Sequence, residues 1–374
     1  MKISALSKKN SNRFANIPIG RIQVWRTLLP LNHPYALALG VLKKFESFIV
    51  KVETADGVGW GEVSALPGYH QDSPDEIWSF LKEACQKCIN RSLEEAQLLV
   101  SQARRRQHFK TAPLEMAIEE LASPVEGTGI SGSVPLIGVL NLLSEVEAQC
   151  QRLLELGCRT LKIKIGSDLK RECGLIERLK KTAVVRQFTM RFDANQSLSL
   201  KSAKEICRLI ADLPASFLEQ PFGTEEWKTT AELCSSSQVP VMLDESIYEK
   251  DDILRAVESG VKWIKLKIAK QGTRAKLVEL GRLAEKLGLG VIIGNGVATE
   301  IACRLEAAAW LELKRREAGE MNGFLKIREP IVKAPFRVDK FSWDFSSLSV
   351  AVNQACLNRH FVEHHEVRSF DNKG

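Results

Sequence analysis

The chain has 374 residues, a formal net charge of +7 at pH 7, and 44% hydrophobic residues. This length suffices for two domains or for one large α/β barrel with additions. No run approaches the roughly 18 apolar residues that a membrane helix needs, and residues 1–10 lack the apolar segment of a secretory signal. We therefore expect a cytoplasmic protein without a membrane partner.

Three consecutive arginines at 104–106 contribute to the positive charge. Such a run could indicate a nucleic-acid surface, but no interleaved aromatic residues or known nucleic-acid motif accompany it. The simpler interpretation is the solvated face of a helix in the N-terminal part of the chain. We expect no nucleic-acid partner.

The positions of the cysteines and histidines limit the kinds of catalytic or metal site that the chain can form. The nine cysteines are scattered, which is typical of a reduced protein that uses cysteine as a small hydrophobic residue. Cys85 and Cys88 have redox or zinc spacing, but no second pair follows. No histidine lies between residues 109 and 359, so any chemistry of the central region must use lysine and carboxylates.

The N-terminal part of the chain predicts an antiparallel sheet followed by helices. Residues 21–25 alternate in polarity, residues 48–53 form a strand, and a turn signal at Asp56-Gly57 leads into a returning strand. Helical periodicity then extends from Ser73 to about Ala122. We therefore predict an α+β domain over residues 1–125.

From Val134 onwards, short strands alternate with amphipathic helices of roughly 10–16 residues, which indicates a parallel sheet. About seven such units favour closure into a (β/α) barrel, which we assign to residues 126–329. Residues 330–374 lose this rhythm and are expected to pack back on the N-terminal domain. The predicted barrel strands are 134–140, 160–166, 189–195, 216–221, 240–246, 263–268 and 290–296.

Charged residues end five successive predicted strands. Lys162 and Lys164 share one strand face, and two buried ammonium groups require carboxylates nearby. The C-terminal ends of barrel strands are where barrel enzymes place their active sites. A single residue of this kind could be a structural ion pair, but the whole set indicates a site. After Lys164, the residues that end the following strands are Asp193, Glu219, Asp244 and Lys267.

Three carboxylates without histidine suit a hard divalent cation, Mg²⁺ or alternatively Mn²⁺. A substrate carboxylate on that cation would place its α-carbon between the lysines. A lysine buried near cations has a lowered pKa and could then remove the α-proton, and the cation would stabilise the enediolate. We expect a small-molecule carboxylate as the substrate.

These motifs resemble the enolase superfamily in its muconate-lactonizing subgroup. The resemblance covers nearly the whole chain and implies a modified (β/α)₇β barrel, with two N-terminal loops at 29–34 and 66–73 that close over the substrate. The matching motifs are Lys162-Ile-Lys164, Asp193-Ala-Asn195, Glu219-Gln-Pro221, Asp244-Glu-Ser246 and the run from Lys265 to Gly272.

The resemblance also implies roles for individual residues. Lys164 and Lys267 form the acid/base pair, and Lys162 tunes Lys164. Asn195 and Arg191 contact the substrate or the residues around it. The metal ligands are Asp193, Glu219 and Asp244.

Within the subgroup, residues 191–195 and 163–166 look most like o-succinylbenzoate synthases, hydro-lyases of menaquinone biosynthesis. N-succinylamino-acid racemases, dipeptide epimerases and muconate cycloisomerases remain alternatives. Residues 319–323 lack the Asp-x-Asp pair usual in dipeptide epimerases, although Glu320 could stand for the single acid of a cycloisomerase. The loop Gly294-Asn295-Gly296 is expected to bind a succinyl carboxylate through backbone N–H groups at a helix start.

Two further alternatives concern the class of protein and its assembly. A non-catalytic binding protein would show no metal dependence, and the complete lysine and carboxylate set argues against it. A homo-oligomer is compatible with the sequence, which does not specify an oligomeric state.

Overall fold

The computed structural model describes residues 17–37, 40–66, 68–141, 145–346 and 351–369. The predicted polar tail at 1–10 lies outside these ranges. Among the helices within them, none combines the length and hydrophobicity required to cross a bilayer.

The described chain alternates strands and helices over most of its length. The strands are β1 (Arg21–Leu37), β2 (Gly40–Thr54), β3 (Gly57–Ser64), β4 (Ser131–Pro135), β5 (Gly138–Leu140), β6 (Thr160–Lys164), β7 (Thr189–Asp193), β8 (Ala215–Glu219), β9 (Val241–Leu243), β10 (Trp263–Leu266), β11 (Gly290–Ile293), β12 (Val338–Asp339), β13 (Ser342–Ser346) and β14 (Phe361–Arg368). The helices are α1 (Pro74–Cys88), α2 (Leu93–Gln102), α3 (Ala112–Ala122), α4 (Val146–Glu155), α5 (Leu169–Lys181), α6 (Leu200–Ile210), α7 (Trp227–Ser236), α8 (Lys250–Glu258), α9 (Ile268–Gln271), α10 (Arg274–Lys286), α11 (Glu300–Glu312) and α12 (Gln354–His360), with 3₁₀ turns at Ala183–Gln187 and Gly323–Lys326.

The N-terminal cap is a four-stranded antiparallel sheet in the order β14-β1-β2-β3, covered by α1–α3. Ser73 and Glu76 form a capping box that starts α1. The last strand joins this sheet because β14 pairs with β1, from Arg21 opposite Arg368. His364 is therefore part of a strand and packs against Trp25.

The central sheet has seven parallel strands in the order β11-β10-β9-β8-β7-β6-β5. The residue that closes it into a barrel is Gly319, which forms a parallel bridge to Leu136. The next residue, Glu320, donates its backbone N–H to the carbonyl of Ile293 at the end of β11. The predicted (β/α) barrel with an antiparallel cap is confirmed, and residues 319–320 occupy the eighth strand position. The exact domain boundaries stay predictions.

One predicted strand, residues 134–140, divides in two. β4 pairs antiparallel with β13 in a separate three-stranded sheet, and only β5 belongs to the barrel. Pro135 lies at the break and has no backbone N–H to continue a ladder. Leu136 bonds instead to the carbonyl of Phe341.

Candidate active site

The predicted strand-end residues meet at one edge of the barrel. Register pairs Lys164 with Asp193 and then Asp193 with Glu219. Because side chains alternate along a strand, Leu161 and Ile163 face the helices, while Lys162 and Lys164 face the interior. The sequence prediction of a charged interior face on these strands agrees with this arrangement.

The two proposed acid/base lysines each form an ion pair with a different carboxylate. Lys164 Nζ lies 2.6 Å from Asp193 Oδ2. Lys267 Nζ lies 2.5 Å from Asp244 Oδ2. The two ammonium groups therefore flank the carboxylate cluster from different strands, β6 and the end of β10.

Beneath them, four side chains form a closed ring of alternating charges, which we call the buried charge ring. Lys162 Nζ lies 3.0 Å from Glu219 Oε1 and 3.1 Å from Glu320 Oε2. Lys265 Nζ lies 2.9 Å from the same oxygen of Glu219 and 2.6 Å from Glu320 Oε2. Each carboxylate is thus shared by two ammonium groups, which compensates charges that would be costly to bury alone.

The buried charge ring also contacts the outer carboxylates. Lys162 Nζ lies 2.9 Å from Asp193 Oδ2, and Lys265 Nζ lies 3.6 Å from Asp244 Oδ2. Lys265 had no assigned role in the sequence interpretation, and Glu320 was considered there as the single acid of a cycloisomerase. Two features of the sequence indicated them: Lys265 shares a strand face with Lys267, and Glu320 is the single acid of residues 319–323. Their contact joins residues 55 positions apart in the chain and could be seen only in the folded structure.

The carboxylate in contact with each of the two lysines raises the pKa of that lysine. Burial alone would lower the pKa of Lys164, but the Asp193 carboxylate raises it above its ordinary value. The pKa of Lys267 is raised in the same way by Asp244 and Glu245, against the effect of burial. The lowered pKa was expected for a lysine beside a bound cation and stays a prediction; the carboxylate in direct contact with each lysine acts in the opposite direction.

The pKa values of the two carboxylates in the buried charge ring shift in opposite directions. Burial would raise the pKa of Glu320, but Lys162 and Lys265 lower it to about 2. The pKa of Glu219 is raised by burial and by Asp193, which outweigh the two lysines. Glu320 is therefore held as a carboxylate that is neutralised within the protein.

Asn195 orients groups around Lys164. Its backbone has a positive φ of 41°, and its side-chain oxygen accepts a hydrogen bond from Lys164 Nζ. Its side-chain amide donates to Glu245 Oε1 at 3.0 Å. Burial, followed by Asp244, raises the pKa of Glu245 to about 7.

Arg191 lies deeper than the sequence interpretation expected. It is two residues before Asp193 on the same strand face, and its guanidinium lies over the ring of Phe217, 5.4 Å from the centroid. Phe217 belongs to the small apolar cluster in the barrel interior with Met242 and Ile292. A contact between Arg191 and the substrate therefore does not agree with this position, which places it below the carboxylates.

The loop after β11 also differs from its predicted role. The backbone N–H of Gly294 donates to the carbonyl of Leu266, and that of Asn295 donates to Glu306 Oε2. These two groups are therefore not available to bind an anion. Gly296 instead accepts a 2.6 Å hydrogen bond from Lys326 Nζ through its carbonyl.

Two arginines of the basic run join the cap to the barrel. Arg104 binds Glu115 and donates to the carbonyl of Lys270 at 2.8 Å. Arg106 binds the buried Asp252 of α8. The interpretation of the run as a purely solvated face is wrong for these two residues, because buried acids and carbonyls are their partners.

Lys270 is a further buried cation that the sequence interpretation left without a role. Its ammonium donates to the carbonyl and to Oδ1 of Asp244, at 2.6 and 3.0 Å. Burial lowers its pKa to about 8 despite this carboxylate. Lys270 thus fixes the orientation of Asp244 from the side opposite Lys267.

The donor chemistry of the site fits a hard divalent cation. Asp193, Glu219 and Asp244 are buried carboxylates on adjacent strand ends, the ligand type that Mg²⁺ prefers. One of their oxygens, Glu219 Oε2, is buried and has no hydrogen-bond partner within the described ranges. An unpaired buried carboxylate oxygen is costly unless a cation compensates it.

Ammonium groups lie between the carboxylate oxygens that could bind a cation. In the described part of the chain, the one group with three ligand atoms within 4.8 Å of one another is Glu329, Cys356 and His360, outside this site. The oxygens of the three barrel carboxylates are separated by Lys162 and Lys265. A cation would therefore compete with ammonium groups for oxygens of Asp193 and Asp244, whereas Glu219 Oε2 has no hydrogen-bond partner among the described residues.

Both segments that were predicted as loops reach the site, but residues 29–34 lie within strand β1, at a register shift between Pro30 and Tyr35. Tyr69, from the second loop, lines a small cavity of about 20 Å³ together with Lys267, Asp244 and Asn295. Tyr35 follows residues 29–34; burial would raise its pKa, but Lys326 and then Lys164 lower it. Each of the two segments therefore places an aromatic residue beside the lysines of the site.

A parallel barrel with a cap and with lysines and carboxylates at successive strand ends defines a barrel enzyme site. A family model described as "Enolase C-terminal domain-like" matches residues 145–347, more than half of the chain. The chain belongs to the enolase superfamily, as its motifs predicted.

Curated relatives cover most of the chain at low identity. The L-Ala-D/L-Glu epimerase of Bacillus subtilis is 25% identical over 317 residues, which cover 79% of this chain and 85% of the relative. Muconate cycloisomerase 1 of Acinetobacter baylyi is 25% identical over 335 residues, or 84% and 90%.

Solved structures agree in fold. The muconate lactonizing enzyme of Pseudomonas fluorescens, complexed with muconolactone, has a TM-score of 0.84 at 24% identity, covering 92% of this chain and 99% of that one. An N-succinyl Arg/Lys racemase of Bacillus cereus has a TM-score of 0.85 at 20% identity, covering 94% and 100%. At these identities the likeness establishes the fold alone.

Proposed function

We propose that this chain removes a proton next to a substrate carboxylate, and that its reaction is the Mg²⁺-dependent dehydration that forms o-succinylbenzoate in menaquinone biosynthesis. The observation that carries the proton chemistry is the placement of Lys164 on Asp193 and Lys267 on Asp244. Two lysines that flank one carboxylate cluster can reach a carbon between them from both sides. This makes the proposed activity that of a carbon–oxygen lyase.

Asp193, Glu219 and Asp244 would hold the divalent cation. When bound, the cation supplies positive charge that stabilises the enediolate formed by loss of the α-proton. The superfamily generally uses Mg²⁺, and the unpaired Glu219 Oε2 supports a cation here. Lys162 and Lys265 hold the other oxygen of Glu219 and so fix its orientation.

Lys164 is the proposed base. It accepts the proton from C1 of 2-succinyl-6-hydroxy-2,4-cyclohexadiene-1-carboxylate, and the C–H electron pair enters the enediolate. As that pair moves into the ring, the C–O bond at C6 breaks, and Lys164 returns the proton so that hydroxide leaves as water. Lys267 stabilises the enediolate charge from the other side.

A lysine base must be neutral when substrate binds, whereas Asp193 now raises the pKa of Lys164. The pKa of Lys164 should fall once Asp193 shares its charge with a divalent cation, because nearby positive charge disfavours the ammonium form. Burial acts in the same direction. Asn195, which accepts a hydrogen bond from Lys164, keeps the amine oriented toward the cluster.

Glu320 bears on the choice of substrate. A dipeptide substrate would need a free carboxylate for its ammonium group, but Glu320 is 4% exposed and is neutralised by Lys162 and Lys265. Asn322 stands two residues later, where a second acid would be needed. These features favour a substrate without a positive charge.

Racemisation of an N-succinylamino acid is the second candidate. The observation that favours it is again the pair of flanking lysines, since one can remove the α-proton and the other can return it to the opposite face. Several curated relatives are epimerases, including the L-Ala-D/L-Glu epimerase.

The two candidates differ in their products. Purified protein with Mg²⁺ should form o-succinylbenzoate from the cyclohexadiene carboxylate, followed by its ultraviolet absorbance. N-succinylamino acids in D₂O would test racemisation by loss of the α-proton NMR signal. Absence of turnover with the first substrate, together with exchange of the second, would replace the synthase proposal with the racemase.

A further inference from the structure

Lys326 presents an ammonium group that no carboxylate neutralises. It ends the 3₁₀ turn Gly323–Lys326, just after the residues that close the barrel. Its ammonium donates to the Gly296 carbonyl at 2.6 Å and to Asn322 Oδ1 at 3.1 Å. Within the described ranges, no carboxylate oxygen lies within 4.0 Å of this nitrogen.

The other ammonium groups of the site are compensated. Lys164 and Lys267 each contact an aspartate, and Lys265 contacts Glu219 and Glu320. Of these lysines, Lys326 alone has only neutral hydrogen-bond partners among the described residues, and burial lowers its pKa. A cation with only neutral partners in a poorly solvated place is stabilised when an anion binds beside it.

Lys326 lies where the cap meets the barrel. Leu31 of β1 forms a bridge with Ile327, and Arg328 donates its backbone N–H to the carbonyl of Pro30. Farther along the same strand, the ring of Tyr35 lies over Lys326, 4.9 Å from the ammonium to the centroid. Strand β1 of the cap thus forms one wall beside this ammonium.

Tyr35 connects Lys326 electrostatically to the proton-transfer lysine. Burial would raise the pKa of Tyr35, but Lys326, Lys164 and Lys162 lower it below the ordinary value. Its hydroxyl therefore lies in a positive potential to which both Lys326 and Lys164 contribute. A Cβ at Gly296 would lie 3.3 Å from Lys326 Nζ and 3.5 Å from the Tyr35 hydroxyl, so the two groups approach the same point beside Gly296.

We propose that Lys326 and the Tyr35 hydroxyl bind the second carboxylate of a dicarboxylic acid, at the end of an arm whose other end carries the reacting carbon. This inference rests on the proposed proton chemistry between Lys164 and Lys267. It assigns the anion-binding role to a side chain rather than to the backbone of residues 294–296. The substrate class is thereby a dicarboxylate, such as a succinyl derivative, rather than a monocarboxylate or an ammonium-bearing dipeptide.

A matched pair of probes tests this subsite. N-succinyl and N-acetyl derivatives of the same amino acid differ in the second carboxylate, and α-proton exchange in D₂O with Mg²⁺ reports on both. Lys326→Gln keeps a hydrogen-bond donor for Gly296 but removes the charge. We expect it to lower kcat/KM for the succinyl probe about 10- to 100-fold, mostly through KM, and to leave the acetyl probe unchanged.

The controls separate charge from folding. Lys326→Arg should retain most of the preference for the succinyl probe, Tyr35→Phe should lose part of it, and the exposed Lys333→Met should behave as the original chain. An equal effect of Lys326→Gln on both probes, or no effect on either, would overturn the inference.

A binding measurement keeps the inference testable without turnover. Calorimetry with o-succinylbenzoate, compared with benzoate, should show that Lys326→Gln weakens binding of the dicarboxylate alone. Failure to form o-succinylbenzoate, together with failure of every α-proton exchange assay, would overturn the proposed function, while an unchanged o-succinylbenzoate affinity in Lys326→Gln would overturn the subsite. The two failures are therefore distinguishable.

Discussion

Lys265 donates a 2.6 Å hydrogen bond to Glu320 inside the barrel, where the two residues are 1% and 4% exposed. Glu320 sits at the eighth strand position, which contributes no regular strand to the sheet, so this pair ties the closing segment to β10. Lys162 completes the contact from β6. The charge compensation of the site and the closure of the barrel therefore depend on the same carboxylate.

Glu320→Gln should be strongly destabilising. The change leaves two ammonium groups, Lys162 and Lys265, with Glu219 as the remaining carboxylate of the buried charge ring. Breaking a buried ion pair from one side costs on the order of 3–5 kcal/mol. Urea unfolding of the variant should show this loss as a lower midpoint with an unchanged slope.

A double-mutant cycle provides the control. Lys265→Met combined with Glu320→Gln removes one charge of each sign, so the double variant should lose less stability than the sum of the single variants. Additive losses would show that the two side chains do not stabilise each other.

Gly59→Ala should destabilise the cap. A Cβ at this position would lie 1.9 Å from the carbonyl oxygen of Ala117 in α3, so strand and helix would have to separate. We expect a loss of about 1–3 kcal/mol, typical of overpacking. Gly57→Ala on the same strand is the matched control, because its Cβ would meet Leu121 at an ordinary 3.5 Å. Equal unfolding midpoints for the two variants would contradict the close packing.

The barrel and its strand-end residues were predictable because their signals are local. Strand and helix periods repeat along the chain, and Lys164, Asp193 and Glu219 recur at the spacing of one βα unit. Residues that act at long range were not predictable in the same way. Gly319 closes the barrel through single-residue bridges that leave no strand pattern.

The electrostatics of the site also required coordinates. The pKa of Lys164 is one example, because its direction in this structure depends on a contact with Asp193 that spacing alone does not give. The loop at 294–296 was expected to offer free N–H groups, but Glu306, a buried acid of α11, binds one of them. Sequence gave no reason to connect Lys326 with this loop.

Glu62 should make stability depend on pH. It accepts hydrogen bonds from the backbone N–H and the hydroxyl of Thr299 at the start of α11, and burial raises its pKa from 4.5 to about 8. Between these values the folded chain binds a proton that the unfolded chain releases. Stability should therefore fall as pH rises through this window, by about 1.4 kcal/mol per pH unit where only this group titrates.

Glu62→Gln isolates this contribution from other titrating groups. Denaturant unfolding at pH 5 and pH 8 should show a smaller loss of stability in the variant than in the original chain. Parallel pH profiles for the two proteins would exclude Glu62 as the source.

The most direct measurement of the proposed chemistry compares Lys164→Ala and Lys267→Ala with the original chain in the o-succinylbenzoate-forming assay with Mg²⁺. Each variant should keep its fold by circular dichroism and lose at least about 10²-fold in kcat, the usual contribution of a positioned acid or base. Prior chelation of the metal should abolish turnover of the original chain. Turnover by Lys164→Ala at the original rate would contradict the assignment of this lysine as the base.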